Sequence, residues 1–352
     1  MLRIGIFARR LAPYTVSFLR SLAARGHRLE VIFEPTSGEA PFGGFDLGFC
    51  ASALADDDDR HRRDWLARGD AELPDAAFIA GWTHPLERAA GRRLRRLGRP
   101  VACAIDNPWH GTARQHLGCL IAPWLLRPMA NIAWVAGAPQ AEFARRLGYA
   151  RVETGLYCAD VDAYRCETPL AAREPALLFT GRLVHDKGVD LLIAAYRAYR
   201  QQVSAPLQLW LAGTGPMAAL AEGEPGVKAL GFVQPGQLPA LMARCQALVL
   251  PSRVENWGVV IHEAAAAGLP ILASRRCGAT TAFVQAGGNG LLYEPEANAL
   301  LAALRRFHDL PAEARQAMSL HSLECALTWT PARQAEAFEN LTSASDAILP
   351  LR

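Results

Sequence analysis

The amino-acid sequence predicts an α/β protein built from two Rossmann-like domains, and three observations support this prediction. The chain has 352 residues, whereas one domain takes about 150, so two domains are expected. Hydrophobic residues make up 51% and charged residues 20% of the chain, which is enough apolar material for two cores. Short apolar strands alternate with helical segments along the sequence, a pattern typical of parallel sheets covered by helices.

The first domain, predicted to span residues 1–167, opens with a strand, a helix and a second strand at 2–7, 14–25 and 29–33. The turn after the first strand lacks the glycine fingerprint of many nucleotide-binding folds. This domain is therefore not expected to hold the nucleotide. Arg9 nevertheless lies at the carboxyl end of that strand, where parallel sheets meet their ligands.

Polar residues follow two later strands of this domain, predicted at 76–81 and 100–105. We expect them at the binding edge of the sheet, on the acceptor side or near the reacting atoms: they are His84, Asp106, Asn107 and His110. The segment after the second strand is also ordinary turn chemistry. Binding is the preferred interpretation.

Two segments of the first domain bear on membrane contact. Arginines cluster at 88–99 on a predicted helix, and a basic helix can rest on anionic lipid or form a solvated face. The longest apolar stretch, 117–137, is interrupted by Pro123 and Arg127 and is predicted to be a buried or cleft-lining helix. No apolar run reaches the roughly eighteen residues that span a membrane.

Charge, cysteine spacing and acidic motifs exclude several classes of site. A net charge of +3 is too small to imply nucleic-acid binding. The eight cysteines show no C-x-x-C spacing, so neither zinc nor a disulfide framework is expected, and a cytoplasmic location with reduced thiols is predicted. Asp160-Val-Asp162 is interpreted as a helix cap, and no metal site is predicted.

The second domain, predicted to span 168–330, continues the alternation, with strands expected at 176–180, 207–211, 227–230, 247–250 and 271–274. The first of these strands leads into Gly181-Arg182 and Lys187-Gly188. Glycine lets the backbone approach a ligand closely, and two cations near a helix start form a cradle for a diphosphate.

Two carboxylates, Glu255 and Glu263, lie between the predicted strand at 247–250 and the next strand. Glu255 falls on a loop and Glu263 about one turn into a short helix, so both can face one pocket. Carboxylates accept hydrogen bonds from sugar hydroxyls. The alternative is that both are solvated surface groups.

These motifs together resemble the GT-B glycosyltransferases, and specifically the retaining group called family 4. The resemblance covers residues 176–300 and includes these further segments: Gly213-Thr-Gly215, Gly231-Phe232-Val233, Pro251-Ser252, Gly268-Leu-Pro270 and Gly287…Gly290. It implies two Rossmann-like domains facing a cleft, with a last helix at 331–352 that crosses back to the first domain.

The resemblance also implies roles for single residues. Arg182 and Lys187 would hold the diphosphate and stabilise its leaving charge, and Glu263 would bind the ribose. Glu255 would bind the donor sugar, backbone near Phe232 and Val233 would read the base, and Gly213 and Gly258 would line the donor site. Family members often touch the donor sugar with a histidine of the first domain. Asp106 is the catalytic candidate on that side, at the strand end that the sequence favours.

The resulting hypothesis is a metal-independent, retaining hexosyltransferase (EC 2.4) without a cofactor. It would move a sugar from a UDP- or GDP-sugar to a glycan or lipid-linked acceptor, in cell-envelope polysaccharide synthesis. Contact with an anionic membrane at its inner face would rest on the arginines at 88–99. The alternatives are a GT-B epimerase or phosphorylase, and a sugar-nucleotide-binding protein without turnover.

Overall fold

Residues 1–8, 11–34, 44–55 and 59–343 are described by the structure, a computed structural model. The chain divides into unit 1, which joins Met1–Cys158 to Pro331–Arg352, and unit 2, which is Ala159–Thr330. The boundary predicted at 167/168 differs from this division because a short helix, Val161–Tyr164, already packs on another helix of unit 2.

The described part of unit 1 contains a seven-stranded parallel sheet in the order β3-β2-β1-β4-β5-β6-β7. Its strands are β1 (Arg3–Ala8), β2 (Arg28–Phe33), β3 (Ser52–Ala55), β4 (Ala76–Ile79), β5 (Val101–Ile105), β6 (Ile132–Val135) and β7 (Arg151–Thr154). The central strands β4, β5 and β6 are buried at every residue, as expected for strands covered on both faces. From β1 the chain proceeds outward to β2 and β3, and it then returns to the other side of β1 for β4. The topological switch point of this sheet therefore lies between β1 and β4.

Helices connect these strands: α1 (Pro13–Ala24), α2 (Asp59–Ala67), α3 (Pro85–Arg96), α4 (Ala113–Leu126) and α5 (Ala138–Arg146). The arginines in and after α3 bind their own unit. Arg93 donates to the Leu66 carbonyl oxygen at 2.7 Å and pairs with Asp70 at 2.8 Å. Arg99 donates to the Leu73 carbonyl oxygen at 2.6 Å. These guanidinium groups therefore tie α3 and the turn after it to α2 and to the segment that follows α2.

Helix α4 differs from its prediction. The expected buried or cleft-lining helix buries Ala122 and Leu126, whereas five large apolar residues are exposed: Leu117, Leu120, Ile121, Trp124 and Leu125. The prediction of burial is therefore wrong for these five side chains. None of the helices in the described part of the chain is long and apolar enough to cross a bilayer.

The described strands of unit 2 form a six-stranded parallel sheet in the order β10-β9-β8-β11-β12-β13. They are β8 (Ala176–Thr180), β9 (Gln208–Ala212), β10 (Val227–Gly231), β11 (Ala247–Leu250), β12 (Ile271–Ser274) and β13 (Gly290–Tyr293). The helices are α6 (Val161–Tyr164), α7 (Val189–Gln202), α8 (Leu238–Met242), α9 (Val259–Ala266), α10 (Thr280–Phe283), α11 (Ala297–His308) and α12 (Ala312–Leu327). The two Rossmann-like sheets predicted from the sequence are confirmed.

The last helix, α13 (Pro331–Ser343), packs into unit 1. Its Phe338 ring lies 5.4 Å from the ring of Trp134 and 5.7 Å from that of Phe18. Glu339 accepts from the Arg25 guanidinium at 2.7 Å, and this hydrogen bond lowers the pKa of Glu339 to about 2. The predicted return of the last helix to the first domain is confirmed.

Candidate functional site

The sheet of unit 2 has its topological switch point between β8 and β11. From β8 the chain proceeds outward to β9 and β10, and it then returns to the other side of β8 for β11, β12 and β13. Open parallel sheets bind ligands beyond the carboxyl ends of the two strands at such a point. The loops that leave these strands, 181–188 and 251–258, carry the predicted diphosphate and sugar residues.

Lys187 and Glu255 meet across this switch point. The Lys187 ammonium forms an ion pair with the Glu255 carboxylate, and the two side chains are 16% and 15% exposed. Arg182 lies on the same loop as Lys187 and is exposed. Two cations and one carboxylate therefore border the same end of the sheet, with Lys187 already held in place by Glu255.

Two glycines make this close approach possible. Gly188 has φ +69°, and a Cβ at this position would collide with the Pro251 carbonyl oxygen on the opposite loop. Gly258 has φ +86°, and its Cβ would lie 2.9 Å from Cγ of Glu255. Both residues precede helices, α7 and α9, whose first N–H groups offer partial positive charge to an anion.

A second ion pair joins the two loops. The Arg253 guanidinium donates to both carboxylate oxygens of Asp190, at 2.7 Å and 2.6 Å. The Arg253 backbone N–H donates to the Asp186 carbonyl oxygen at 2.8 Å. The hydrogen bond from Arg253 is the largest cause that lowers the pKa of Asp190. This bidentate pair fixes the loop that carries Lys187 against the loop that carries Glu255.

Glu263 occupies α9, beyond the Gly258 cap. Part of its surface still meets solvent, but protein atoms surround most of the carboxyl, and this burial raises its pKa to about 7. A hydrogen bond with the Tyr164 hydroxyl of α6 acts in the opposite direction and lowers the pKa by less. The carboxyl is therefore balanced between its neutral and charged forms near neutral pH.

The remaining donor-site candidates lie toward the β10 edge. Gly213 follows β9, and its N–H donates to the Gly231 carbonyl oxygen at 2.7 Å. Phe232 and Val233 follow β10 and are partly exposed. The predicted base, phosphate and sugar residues thus follow β10, β9, β8 and β11 in turn, along one edge of the sheet.

His262 takes a structural position in α9, in agreement with its prediction. Its Nδ1 accepts the Ala159 N–H at 3.0 Å, and its Nε2 lies 3.0 Å from the Ala326 carbonyl oxygen. The ring stacks on Phe283 with 3.8 Å between the centroids. The side chain thus ties the start of unit 2 to the end of α12, and burial lowers the pKa of His262 to about 4.

In unit 1 the topology separates the candidates for the acceptor side. His84 follows β4 at the switch point, and its Nδ1 accepts the Leu86 N–H at 3.3 Å as the cap of α3. Asp106 follows β5, one strand further along the sheet, and the Tyr157 hydroxyl contacts its carboxylate at 3.4 Å. The sheet order therefore places His84, rather than Asp106, at the strand pair where ligands meet such sheets.

Of the three remaining candidates in unit 1, the structure describes two. Asn107 and His110 are exposed and line a cavity of about 590 Å³ beside α4. Arg9 lies outside the described residues, so its prediction has no structural counterpart.

Asp160 caps α6 by accepting the Ala163 N–H at 3.3 Å, as predicted. Within the described ranges, no group of three or more His, Cys, Asp or Glu side chains is arranged to hold a metal ion. Metal independence remains a prediction.

The sequence did not indicate three residues that support the site. Asp190 and Arg253 lie 63 positions apart, so their pairing has no local signal. Tyr164 contacts Glu263 from α6, which is distant in sequence from α9, so this contact has no local signal either. The one clue that the sequence holds for each of the three is that it lies close to a loop or helix end of the candidate site.

Residues 160–321 match the model of a protein family described as "Glycosyl transferases group 1". This region contains all the donor-site candidates of unit 2. A glycogen synthase of Mycobacterium tuberculosis is 30% identical over 208 residues, which cover 56% of this chain and 50% of the relative. The alpha-D-kanosaminyltransferase of Streptomyces kanamyceticus is 29% identical over 192 residues, or 51% of this chain and 48% of the relative.

The chain spans about half the length of the curated relatives that it matches. The family match and these relatives support the prediction that this chain is a group 1 glycosyltransferase.

Solved structures extend the likeness over both units. The Anabaena protein HepE in complex with UDP matches with a TM-score of 0.75 at 16% identity, covering 97% of this chain and 100% of that chain. An E. coli structure described as trehalose-6-phosphate bound with UDP-2-fluoro glucose matches with a TM-score of 0.73 at 14% identity, covering 99% and 100%. At these identities the matches show the fold, and the predicted GT-B fold is confirmed.

Proposed function

We propose that this protein is a retaining glycosyltransferase that takes its sugar from a nucleotide-diphosphate sugar. The observation that carries the proposal is the Lys187–Glu255 ion pair at the switch point of unit 2, beside Arg182. Structures of the same fold contain UDP or a UDP-sugar, which supports a nucleotide-sugar donor. We propose UDP- or GDP-sugars as the donors, and family 4 as the group of enzymes.

The charges of the site suit the departure of a diphosphate. As the bond between the sugar's anomeric carbon and the phosphate oxygen breaks, negative charge grows on the phosphate. We propose that Arg182 and Lys187 stabilise that charge. Glu255 accepts from sugar hydroxyls and Glu263 from the ribose. In a front-side transfer, the new bond joins the anomeric carbon to the acceptor oxygen, and the leaving phosphate takes the acceptor's proton.

The acceptor side belongs to unit 1. We propose a glycan or lipid-linked sugar as the acceptor, a role in cell-envelope polysaccharide synthesis, and a cytoplasmic enzyme in peripheral contact with an anionic membrane. We propose His84 at the end of β4 as the residue of unit 1 that acts in the transfer, with Asp106 as the second candidate. The reaction is proposed to need neither a metal nor a cofactor.

A thermal-shift screen of nucleotide sugars tests the donor. A UDP- or GDP-sugar at one hundred times its dissociation constant is expected to stabilise the protein by about 2.7 kcal/mol. In Arg182→Ala the affinity is expected to fall about tenfold, because a cation at the diphosphate is lost. The stabilisation at the same ligand concentration then falls to about 1.4 kcal/mol.

The matched control for this screen is Arg275→Ala, an exposed arginine after β12 that pairs loosely with Glu294 at 3.8 Å. This variant is expected to keep the full shift. The absence of any shift with every nucleotide sugar would overturn the donor assignment. Conversion of the donor to another nucleotide sugar without an acceptor would favour an epimerase.

Donor affinity is expected to increase with pH across neutrality. The pKa of Glu263 is about 7 in the ligand-free protein, and only the ionised carboxylate offers all its oxygens as acceptors to ribose hydroxyls. Binding of a UDP-sugar, measured calorimetrically, is expected to weaken by up to about tenfold from about pH 8 to about pH 6. Glu263→Gln is expected to bind more weakly and without this pH dependence. A variant that keeps the wild-type slope would assign the titration to another group.

A further inference from the structure

Helix α4 presents a continuous apolar face to solvent. Leu117, Leu120, Ile121, Trp124 and Leu125 recur at helical spacing and form one stripe, which we call the α4 face. Leu120 and Trp124 at its centre are 72% and 83% exposed. Scattered exposed apolar residues are normal, whereas several large ones side by side on one helix mark a surface that is covered in use.

The inner side of α4 is also incompletely packed. Ala122 and Leu126 anchor the helix in the core, while a cavity of about 590 Å³ opens between α4 and α5. Ile121 and Leu125 border this cavity together with Phe143. The helix thus presents apolar side chains both to solvent and to a cavity. Such a surface suits contact with an apolar layer that these side chains can enter.

Basic residues stand at both ends of the α4 face. Arg114 precedes Leu117 by three positions and Arg127 follows Trp124 by three positions, so both continue the same stripe. Both arginines are exposed, and Arg127 uses its Nε to donate to the Gly148 carbonyl oxygen at 2.9 Å. Residues 107–141 contain no aspartate or glutamate. The charged side chains of this segment are therefore these two arginines.

This distribution of charge favours one occupant. Two copies of the chain meeting through the α4 face about a two-fold axis would bring arginines together without a carboxylate from the segment to pair them. An anionic bilayer can contact both kinds of side chain on the face. Its acyl chains can surround Trp124 and Leu120, and its phosphate groups can pair with the arginines. Tryptophan and arginine are the side chains that bridge apolar and wet layers at such an interface.

We infer that the α4 face is the surface by which this protein docks on an anionic phospholipid bilayer. The arginines at 88–99, at which the sequence predicts membrane contact, are largely engaged within unit 1. Arg93 and Arg99, for example, bind backbone carbonyl oxygens and Asp70. The inference deepens the membrane contact of the proposed function and does not depend on the donor.

The experiment is co-sedimentation of the full chain, without donor, with vesicles of phosphatidylcholine mixed with phosphatidylglycerol and with vesicles of phosphatidylcholine alone. Wild type is expected to sediment with the anionic vesicles. The double variant Leu120→Ser/Trp124→Ser is expected to lose about tenfold or more of this partition, because two large apolar side chains no longer enter the bilayer. Arg114→Gln/Arg127→Gln is expected to lose the preference for the anionic vesicles.

Two controls match these variants. Leu320→Ser/Leu327→Ser removes apolar residues of unit 2 that are 55% and 56% exposed, and it is expected to sediment as wild type does. Arg92→Gln/Arg96→Gln tests α3 and is also expected to keep binding. Trp124→Phe provides a second readout, since it is expected to bind but to lose the blue shift of tryptophan emission that vesicles cause in wild type.

Three results would overturn the inference: no added sedimentation of wild type with anionic vesicles, unchanged binding of Leu120→Ser/Trp124→Ser, or a loss confined to Arg92→Gln/Arg96→Gln. A wild-type dimer that becomes monomeric in Leu120→Ser/Trp124→Ser, without vesicle binding, would instead assign the α4 face to contact between copies. Donor thermal shifts measured on the same variants separate these results from a failure of the nucleotide site, and their melting curves show that they fold.

Discussion

Replacement of Lys187 by alanine is expected to lower kcat for sugar transfer by about 10²–10³-fold while leaving the protein folded. The ammonium of Lys187 is held at the switch point of unit 2 by Glu255, and both side chains are mostly buried. The charge of a cation in such a site acts more strongly than in water. Its removal costs stabilisation of the leaving diphosphate and leaves the Glu255 carboxylate without its cation. Steady-state kinetics with a saturating donor measure the effect.

The composition of the chain makes this lysine a sharper test. Only two of its 37 lysine and arginine residues are lysines, Lys187 and Lys228. Lys187→Arg is expected to lose much of the activity as well, since the planar guanidinium group of arginine does not replace a compact ammonium. Lys228, which lies over the Trp210 ring at 4.8 Å, provides the control: Lys228→Ala is expected to keep kcat. Full activity in Lys187→Ala would remove the ion pair from the mechanism.

Replacement of His262 by leucine is expected to lower the free energy of unfolding by about 1–3 kcal/mol. The imidazole accepts from the Ala159 N–H and donates to the Ala326 carbonyl oxygen, and it is 1% exposed. Leucine fills the space but removes the imidazole acceptor from the buried Ala159 N–H, which costs about 1–3 kcal/mol. The Ala326 carbonyl oxygen loses one of two donors, since it also accepts the Trp329 N–H at 3.3 Å. Chemical denaturation followed by circular dichroism measures the change.

The same histidine is expected to make wild-type stability depend on pH. Its pKa in the folded protein, about 4, lies below the ordinary value of 6.5, so the unfolded chain takes up the proton first. Its contribution is fully present above about pH 6.5 and is lost as the pH falls toward about 4, on the order of 3 kcal/mol. His262→Leu is expected to lack this part of the slope. His321→Gln, on the partly exposed side of α12, is the control, and an unchanged slope in His262→Leu would contradict the assignment.

The strands at the centre of each sheet could be predicted closely from the sequence. β8, β11 and β12 begin and end where the apolar runs do, because strands buried on both faces are continuous in hydrophobicity and end at polar or turn residues. Two strands were missed, β3 and β7. Both lie at an edge of the unit 1 sheet, are only four residues long and are partly exposed, and β7 carries a single apolar residue, Val152.

Burial was harder to predict than secondary structure. A helix with many apolar residues, such as α4, reads the same whether its apolar face meets a core or solvent. The interruption at Pro123 does not distinguish these cases, because the proline lies inside α4. In helix α3 the charged residues were the difficulty. Arg93 and the following Arg99 bind backbone carbonyl oxygens of Leu66 and Leu73, which are distant in sequence, so their engagement within unit 1 could not be predicted.

The donor side of the candidate site was accessible from the sequence because its residues fall in short loops after recognisable strands. The order of those strands was not accessible. It determines that the loops of Lys187 and Glu255 are neighbours, and that His84 rather than Asp106 follows a strand at the switch point of unit 1. The Asp190–Arg253 pair depends on this same neighbourhood of β8 and β11.

The placement of α13 in unit 1 has a consequence for biosynthesis. A ribosome makes Phe18, Phe78 and Trp134 early, but the Phe338 ring that packs against all three comes after the whole of unit 2 has been translated. Unit 2, by contrast, is one uninterrupted segment of the chain and holds its complete set of residues before α13 is made. Unit 1 therefore completes its aromatic cluster last, although its synthesis starts first.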